Sequence, residues 1–252
     1  MAKRKNSSNK KSAKSFFQKV KQWYHQAPQW ARRIINVFIF FFMLHIVLIG
    51  LYSFLPVPIT PYMLLRVGEQ MTDPDQKVRF KKDWASIDEI SPNLQLAVIA
   101  SEDQLFTDHF GFDFEAIEKA IAFNKNHKRK LGASTISQQT AKNLFLWPGR
   151  SWIRKILEVY FTSMLELCWS KQRIMTVYLN IIEFGDGIYG SEAASQFFFK
   201  KSAANLTRDQ AALLAAVLPN PHKFSVANPS AHVNLRKQRI LKQMRYYGKL
   251  NY

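Results

Sequence analysis

The chain has 252 residues, with 36 Lys and Arg against 18 Asp and Glu, so its formal charge at pH 7 is +18. This length allows one sizeable domain plus an appendage. The single cysteine, Cys168, excludes an intramolecular disulfide and a cysteine zinc site, and its apolar helical surroundings predict a core position. The six histidines lack H-x-x-x-H and H-E-x-x-H spacing, so the sequence predicts no metal site.

Residues 1–33 form a basic N-terminal arm with ten Lys and Arg and no acidic residue. A block of like charge is attracted to polyanions, either nucleic acid or the anionic lipids of a cytoplasmic leaflet. The segment that follows distinguishes them, because residues 34–65 contain no charged side chain. Lipid is therefore the expected partner of the arm.

Residues 34–55 are almost wholly apolar and predict a transmembrane helix. As a helix this segment is about 33 Å long, enough to cross a hydrocarbon core of about 30 Å. It exceeds the ~7–15 apolar residues of a signal peptide, and no small-x-small cleavage site follows it. The basic flank predicts a cytoplasmic N-terminus and an extracytoplasmic remainder, a topology that argues against nucleic-acid binding.

Residues 56–83 are a proline-punctuated connector in which we expect one small element beside the membrane. Ser91 and Pro92 then predict the start of a buried helix that ends at Glu102 and Asp103. Apolar spacing predicts further helices over 113–124, 134–143, 151–169, 171–182, 191–199, 207–218 and 232–246. Alternating strand patterns are scarce, so the expected fold class is mainly α.

The first candidate for chemistry is the segment from Ala100 to Asp113. A nearly continuous apolar helix here delivers the carboxylates of Glu102 and Asp103 at its end, followed by aromatic residues and His109. Carboxylates that emerge from an apolar wall are suited to act as a general base. The alternative is that both simply solvate a helix end.

The second candidate is a polar run from Gly132 to Asn143 that is rich in hydroxyl and amide side chains. Such groups hydrogen-bond sugar hydroxyls and phosphate oxygens, although a polar helix start is the simpler explanation. The cations Lys142, Arg150, Arg154 and Lys155 follow closely and suit a diphosphate. A surface ion pair between Arg154 and Glu158 explains that part equally well.

Two other segments have competing interpretations. The apolar run 144–149 either dips into lipid or belongs to the core. The G-x-G-x-x-G spacing of 185–190 imitates a dinucleotide-binding loop, but only 62 residues follow it, too few for the rest of that fold. We therefore predict no dinucleotide site.

In this order and spacing, the segments resemble the peptidoglycan glycosyltransferase family, specifically its monofunctional, membrane-anchored biosynthetic members. The resemblance covers roughly residues 84–230. It includes Glu102-Asp103-Gln104 with His109, Gly132 to Asn143, Arg154-Lys155 with Glu158, Tyr178-Leu179-Asn180, and Leu218-Pro219-Asn220-Pro221. It implies a lysozyme-like helical domain over 84–252 with a small membrane-associated lobe, preceded by the transmembrane helix.

The resemblance also implies an activity, which is polymerisation of lipid II into β-1,4-linked glycan strands with inversion and release of polyprenyl diphosphate. It assigns catalysis to Glu102 and Glu158, and support to Asp103 and His109. Substrate binding is assigned to Lys142, Arg150, Arg154, Ser134, Thr135, Gln138, Gln139 and Asn143. It leaves open a divalent cation such as Mg²⁺ at the diphosphate, and partners among cell-wall synthesis or division proteins.

The expected location is the cytoplasmic (inner) membrane, with lipid II, the growing strand and the bilayer as partners. S-x-x-K occurs only within residues 7–11 and K-T-G is absent, so the sequence predicts no penicillin-binding domain. The rival activity is a lysozyme-like glycan hydrolase, since a Glu at a helix end near aromatic residues also suits glycoside cleavage.

Overall fold

The computed structural model describes residues 15, 18–19, 21–74, 77–127, 131–149 and 151–247. Most of the basic arm lies outside these residues, and so does Arg150. The backbone divides into two compact units, Met1–Leu51 and Tyr52–Tyr252.

The first unit contains most of helix α1, Gln29–Tyr52, which begins five residues before the predicted transmembrane segment and ends three residues before its end. At 1.5 Å per residue, its 24 residues span about 36 Å. Within the described part of the chain it is the one helix that is long and apolar enough to cross a membrane. It therefore fits a membrane anchor.

The second unit is mainly α-helical, which confirms the predicted fold class. Its helices are α2 Pro61–Thr72, α3 Pro92–Glu102, α4 Phe114–Asn126, α5 Ile136–Phe145, α6 Trp152–Cys168, α7 Lys171–Ile181, α8 Ser191–Phe199, α9 Arg208–Val217 and α10 Ala231–Gln243. Two 3-10 turns, Ile87–Glu89 and Ala203–Asn205, complete the helical elements in the described part of this unit. Each predicted helix end lies within three residues of the observed one.

Local capping chemistry explains why two of these helices begin where they do. The Ser91 side chain accepts a hydrogen bond from the Asn93 backbone at the start of α3, with Pro92 in the first turn. Thr207 and Gln210 form a capping box at the start of α9. Such caps satisfy amide groups that the helix itself leaves unpaired.

A small three-stranded sheet, not expected from the sequence, has the strand order β1-β3-β2. Strand β1 (Lys81–Lys82) runs parallel to β3 (Ile188–Tyr189), and β2 (Glu183–Gly185) pairs antiparallel with β3. The strands have only two or three residues, too few to show an alternating pattern. The sheet joins residues of the expected connector to the segment after α7.

The G-x-G-x-x-G segment forms the β2–β3 hairpin of this sheet. Gly187 has φ +70°, and a Cβ at this position would lie 2.0 Å from the Arg79 carbonyl oxygen. Only glycine fits there without strain, because the backbone of the Arg79 segment passes so close. The spacing therefore reflects a tight turn rather than a phosphate-binding loop.

Helices α3, α7 and α9 each contribute five or six buried apolar residues to the core of the second unit. Helix α9 packs against α3 and α10, and α5 packs against α6 and α7. Every residue of α7 from Ile174 to Ile181 is buried. Asn180 in this stretch uses its side-chain amide to bind both the backbone N–H and the carbonyl of Ala85, each at 2.8 Å. These contacts hold α3, which ends at Glu102, and α6, which carries Glu158, on the core.

Helix α6 differs from the prediction in which face it buries. The sequence predicts a core position for Cys168, yet Cys168 is exposed, and Ile153 on the same helix is 70% exposed. The buried face instead carries Glu158 and Glu166. The core prediction for Cys168 is therefore wrong, because local spacing cannot reveal that basic neighbours neutralise two carboxylates and make the opposite face the buried one.

Candidate active site

Glu102 is the last residue of α3 and lines a cleft of about 900 Å³. Its side chain is 12% exposed. It accepts hydrogen bonds from Gln139 Nε2 at 3.1 Å, from Ser101 Oγ at 3.3 Å and from Arg236 at 2.9 Å. The carboxylate that the sequence singled out is thus presented at the edge of an open cleft.

Two opposing effects set the protonation of Glu102. Burial raises the pKa of this carboxyl, and it is the largest effect. The positive charge of Arg236 and the hydrogen bonds from Gln139, Ser101 and Arg236 act in the opposite direction. The net direction is upward, which makes this carboxylate a stronger base than one in water.

Asp103, the neighbour of Glu102 in the sequence, forms a buried pair with His109. The Asp103 carboxylate is 2% exposed, and it accepts from the Ile136 backbone N–H at 3.0 Å and pairs with His109 Nε2 at 2.9 Å. Asp103 therefore ties the end of α3 to the first turn of α5. Its oxygens are fully engaged inside the protein, in agreement with a supporting role and not with a chemical one.

In the polar run from Gly132 to Asn143, some residues form the N-terminal cap of α5 and others line the cleft. Thr135 and Gln138 form the capping box of α5, and Thr135 Oγ1 also donates to the Gly111 carbonyl at 2.7 Å. Gln138 is 3% exposed and lines neither the large cleft nor the smaller cavity beside Lys142, so its contacts are those of a helix cap. Ser134 is exposed on the cleft wall, where a sugar hydroxyl can reach it.

Gln139 connects the large cleft to a second, smaller cavity of about 210 Å³, since it lines both of them. Its amide oxygen accepts from Tyr178 Oη at 3.2 Å while its nitrogen donates to Glu102. Both amide groups are therefore oriented by fixed partners. Tyr178 is fully buried, so Gln139 holds Glu102 in one position.

Lys142 lies one turn after Gln139 on the same face of α5 and lines the smaller cavity together with Asn143. Its ammonium group makes no hydrogen bond or ion pair with any described residue. Burial lowers the pKa of Lys142, while Glu158 and Glu102 raise it and Arg154 lowers it further. A half-buried cation without a fixed partner, near Glu102, is available to an anionic substrate.

Glu158 lies beside this cation and is 4% exposed. It pairs with Arg154 at 3.1 Å and with Lys155. The sequence left two explanations open, a group of cations that suits a diphosphate and a surface ion pair between Arg154 and Glu158. The ion pair exists, but it is buried and not on the surface. The Glu158 carboxylate therefore holds the two cations in place near Lys142.

The sequence alone did not identify Arg236 of α10, Glu166 of α6 or Lys171 of α7. The Arg236 guanidinium contacts Glu102 from 134 residues further along the chain. Below the polar run, Glu166 accepts from Ser137 and from Lys171 at 2.7 Å in a buried network. No local motif marks these residues, because each partner lies on a different helix.

The apolar run 144–149 contributes to the core and also to the surface. Leu144 and Leu146 are 3% and 2% exposed, whereas Trp147 is 44% exposed. At the start of α6, Trp152 and Ile156 are 86% and 68% exposed. These three large apolar side chains face outward close in sequence to the cations Arg154 and Lys155. Such exposure is typical of a surface that contacts lipid or another apolar partner.

Comparison with known proteins gives a consistent assignment. A model of the transglycosylase family matches residues 68–245. A biosynthetic peptidoglycan transglycosylase of Bdellovibrio bacteriovorus is 53% identical over 211 residues, which cover 84% of this chain and 84% of the relative.

Two further relatives carry the same name. The protein from Haemophilus influenzae is 52% identical over 225 residues, covering 88% of this chain and 91% of the relative. The one from Escherichia coli is 55% identical over 201 residues, covering 79% and 83%. The family model spans well over half of the chain, and the identities are high across most of it. The chain therefore belongs to the transglycosylase family.

Proposed function

We propose that this protein polymerises lipid II into peptidoglycan glycan strands, with Glu102 as the general base. Family membership and the names of the relatives support the reaction class. The observation that carries the residue assignment is a buried carboxylate at the edge of a large cleft. It is hydrogen-bonded to Gln139, which lies one helical turn before an unpaired lysine in an adjoining cavity.

In the proposed step, Glu102 removes the proton from the 4-hydroxyl of the acceptor sugar. The freed oxygen bonds to the anomeric carbon of the donor strand as the bond from that carbon to the diphosphate breaks. Attack opposite the leaving group converts the α-linked diphosphate into a β-1,4 linkage. The raised pKa of Glu102 suits this task, because a base works best when its pKa approaches the working pH.

Negative charge develops on the departing diphosphate, and Lys142 is the residue that would stabilise it. Its ammonium has no partner among the described residues, so no ion pair must break before the phosphate binds. Preset cations lower the barrier because they need no reorganisation during the reaction. We assign Arg150 to the same task on the basis of its spacing alone, as it lies outside the described residues.

Supporting roles follow from the contacts of the neighbouring residues. Glu158 keeps Arg154 and Lys155 beside Lys142. Ser134 and Gln139 would bind sugar hydroxyls in the cleft, and Asn143 would bind beside Lys142. A divalent cation such as Mg²⁺ at the diphosphate stays a prediction.

The hydrolase alternative explains less of the site. Hydrolysis of a finished glycan releases no diphosphate, so it would not explain the cations Lys142, Arg154 and Lys155 or the buried Glu158 beside them. A direct comparison is to supply the purified protein with lipid II or with preformed glycan strands. We expect strand growth from lipid II and no shortening of preformed strands.

The role of Glu102 is tested with Glu102→Gln, which keeps the shape and removes the base. Loss of a general base costs about 10²- to 10⁴-fold in rate, so strand synthesis should fall by that factor. The matched control is Glu115→Gln, since this exposed carboxylate lines the same cleft and pairs only with Lys119. Near-normal synthesis by Glu102→Gln would disprove the assignment.

We further propose that α1 crosses the cytoplasmic membrane once, with its N-terminus inside and the second unit outside. The basic flank at Arg32 and Arg33 supports this orientation. The only cysteine, Cys168, is exposed in the second unit and gives a direct test. A membrane-impermeant maleimide should label it in intact spheroplasts, and labelling only after lysis would reverse the topology. Other cell-wall synthesis or division proteins as partners stay a prediction.

A further inference from the structure

A second cluster of ionisable side chains lies at the wall of the smaller cavity, outside the residues assigned to catalysis. Glu183 lies in β2, Asp186 in the hairpin turn, and His222 in the segment after α9. One donor atom from each lies within 4.8 Å of the other two. His222 Nε2 is 3.3 Å from Glu183 and His222 Nδ1 is 3.5 Å from Asp186.

Most donor atoms of the cluster already have partners, since Tyr62 Oη donates to Glu183 Oε2 at 3.4 Å and the Arg66 guanidinium lies 3.3 Å from His222 Nδ1. Glu183 Oε1 accepts from the Gly187 backbone at 2.9 Å, and its side chain is only 3% exposed. Asp186 uses Oδ1 for its contacts with Arg66 and Gln70, and its Oδ2 bonds no described residue. One imidazole bracketed by two carboxylates is a ligand set that divalent metal ions favour.

An independent observation is the hydroxyl group of Tyr189, which is buried and has no hydrogen-bond partner among the described residues. The Tyr189 residue is 0% exposed. It pairs directly with Glu183 across the antiparallel hairpin, so both side chains point to the same face of the sheet. A buried hydroxyl aimed at the cluster without a partner suggests that a ligand, such as a water on a bound cation, is its partner.

The charges of the cluster also favour a cation. The nearest positive side chain is Arg66, which is 3.1 Å from Asp186 and also pairs with Glu69. Glu69, Glu183 and Asp186 carry three negative charges against the two positive charges of Arg66 and Arg79, whose Nη1 lies 3.5 Å from the Asp186 carbonyl oxygen. An imidazole that binds a metal ion is neutral, so one negative charge would remain uncompensated, and this favours a cation.

We propose that Glu183, Asp186 and His222 form a binding site for a divalent transition-metal ion such as Mn²⁺ or Zn²⁺. One nitrogen and two oxygen ligands suit these ions better than Mg²⁺, which favours oxygen alone. Donors around an ion with bonds of about 2.1 Å lie roughly 3 to 4.2 Å apart, so the side chains must close in by about half an ångström. Asp186 and His222 are 37% and 36% exposed, and this freedom allows the shift.

The site would join two segments that are far apart in the sequence, the β2–β3 hairpin and the segment after α9. Glu183 and His222 line the same small cavity as Lys142, and α2 contributes Tyr62 to its wall. An ion here would hold the His222 segment against the hairpin and add positive charge near Lys142. Binding of the ion does not rest on the proposed function, because it requires no lipid II.

The experiment uses the full chain, purified in detergent and stripped with EDTA, and titrates it with Mn²⁺. Electron paramagnetic resonance of free Mn²⁺ should reveal one saturable site per chain. Coupling of the bound Mn²⁺ to a ¹⁴N nucleus should identify the imidazole ligand in the unaltered protein. Absence of saturable binding, or binding without nitrogen coupling, would overturn the proposal whatever the variants do.

Variants then locate the site. Asp186→Asn and His222→Gln should each weaken Mn²⁺ binding by at least about tenfold, since even outer-shell partners of metal ligands contribute that much. Arg66→Gln should tighten it, because a competing cation is removed. Asp209→Asn is the matched control, since that exposed carboxylate pairs with Lys237. Unchanged affinity in the first two variants, or an equal loss in the control, would refute the site.

Glu102→Gln separates this inference from the proposed function. It should bind Mn²⁺ as the unaltered protein does, although its strand synthesis is slowed about 10²- to 10⁴-fold. Circular dichroism shows whether each variant is folded before binding is compared. Failure of Mn²⁺ binding with normal polymerisation would refute the metal site alone.

Discussion

Replacing Arg236 by Gln should change how the activity depends on pH, because this residue holds Glu102 in its charged form. The two side chains are 2.9 Å apart and only 30% and 12% exposed. Arg236 lowers the pKa of Glu102 against the upward effect of burial. Without Arg236, the ionised base becomes less favourable, so its pKa rises.

The size of the effect follows from this geometry. A hydrogen bond to a charged group is worth about 1.5–3 kcal/mol, and the partial exposure of Arg236 places it at the lower end. About 1.4 kcal/mol corresponds to a tenfold change in rate. On the acid side of the profile, we therefore expect kcat/KM for lipid II to fall about tenfold in Arg236→Gln.

The assay is kcat/KM for lipid II polymerisation across a range of pH, since this parameter reports ionisation in the free enzyme. The base is active when ionised, so activity rises with pH through the pKa of Glu102. Loss of Arg236 should move this rising limb to higher pH, and the variant should approach the normal rate on its alkaline side. Arg236→Lys keeps the charge and should keep the limb near its original position.

Arg239→Gln provides a second comparison, because Arg239 lines the same cleft on the same helix without a bond to Glu102. It should leave the rising limb in place. A tenfold loss in Arg236→Gln that is equal at every pH would refute the reasoning, since it would indicate a substrate contact and not control of the base.

Three further substitutions test other parts of the site. Asp103→Ala leaves the Ile136 backbone N–H unpaired, so the free energy of unfolding should fall by about 2–4 kcal/mol in urea denaturation. Lys142→Gln should lower kcat about 10²-fold with little change in binding of uncharged glycan, and an equal loss of both would indicate a structural lysine. Gly187→Ala should lower stability by at least about 3 kcal/mol, because its Cβ would meet a carbonyl oxygen at positive φ, whereas Gly132→Ala, with open space around it, should change little by thermal denaturation.

Most helices follow from local sequence, because their determinants lie within a few residues. Ser91 caps α3, Thr207 and Gln210 cap α9, and the apolar run of α1 is visible without any tertiary information. The sheet does not follow, since strands of two or three residues are defined by distant partners. The buried face of α6 was also beyond prediction, because it depends on cations that neutralise Glu158.

Apolar length, helical spacing and capping act between near neighbours, so the membrane-spanning candidate, the mainly helical fold and the carboxylate at the end of α3 could be predicted from the chain. The contacts of Arg236 with Glu102, and of His222 with Glu183 and Asp186, form only when the chain is folded. Burial and charge pairing act through space, so contacts between residues 36 or 134 positions apart leave no periodic trace along the chain.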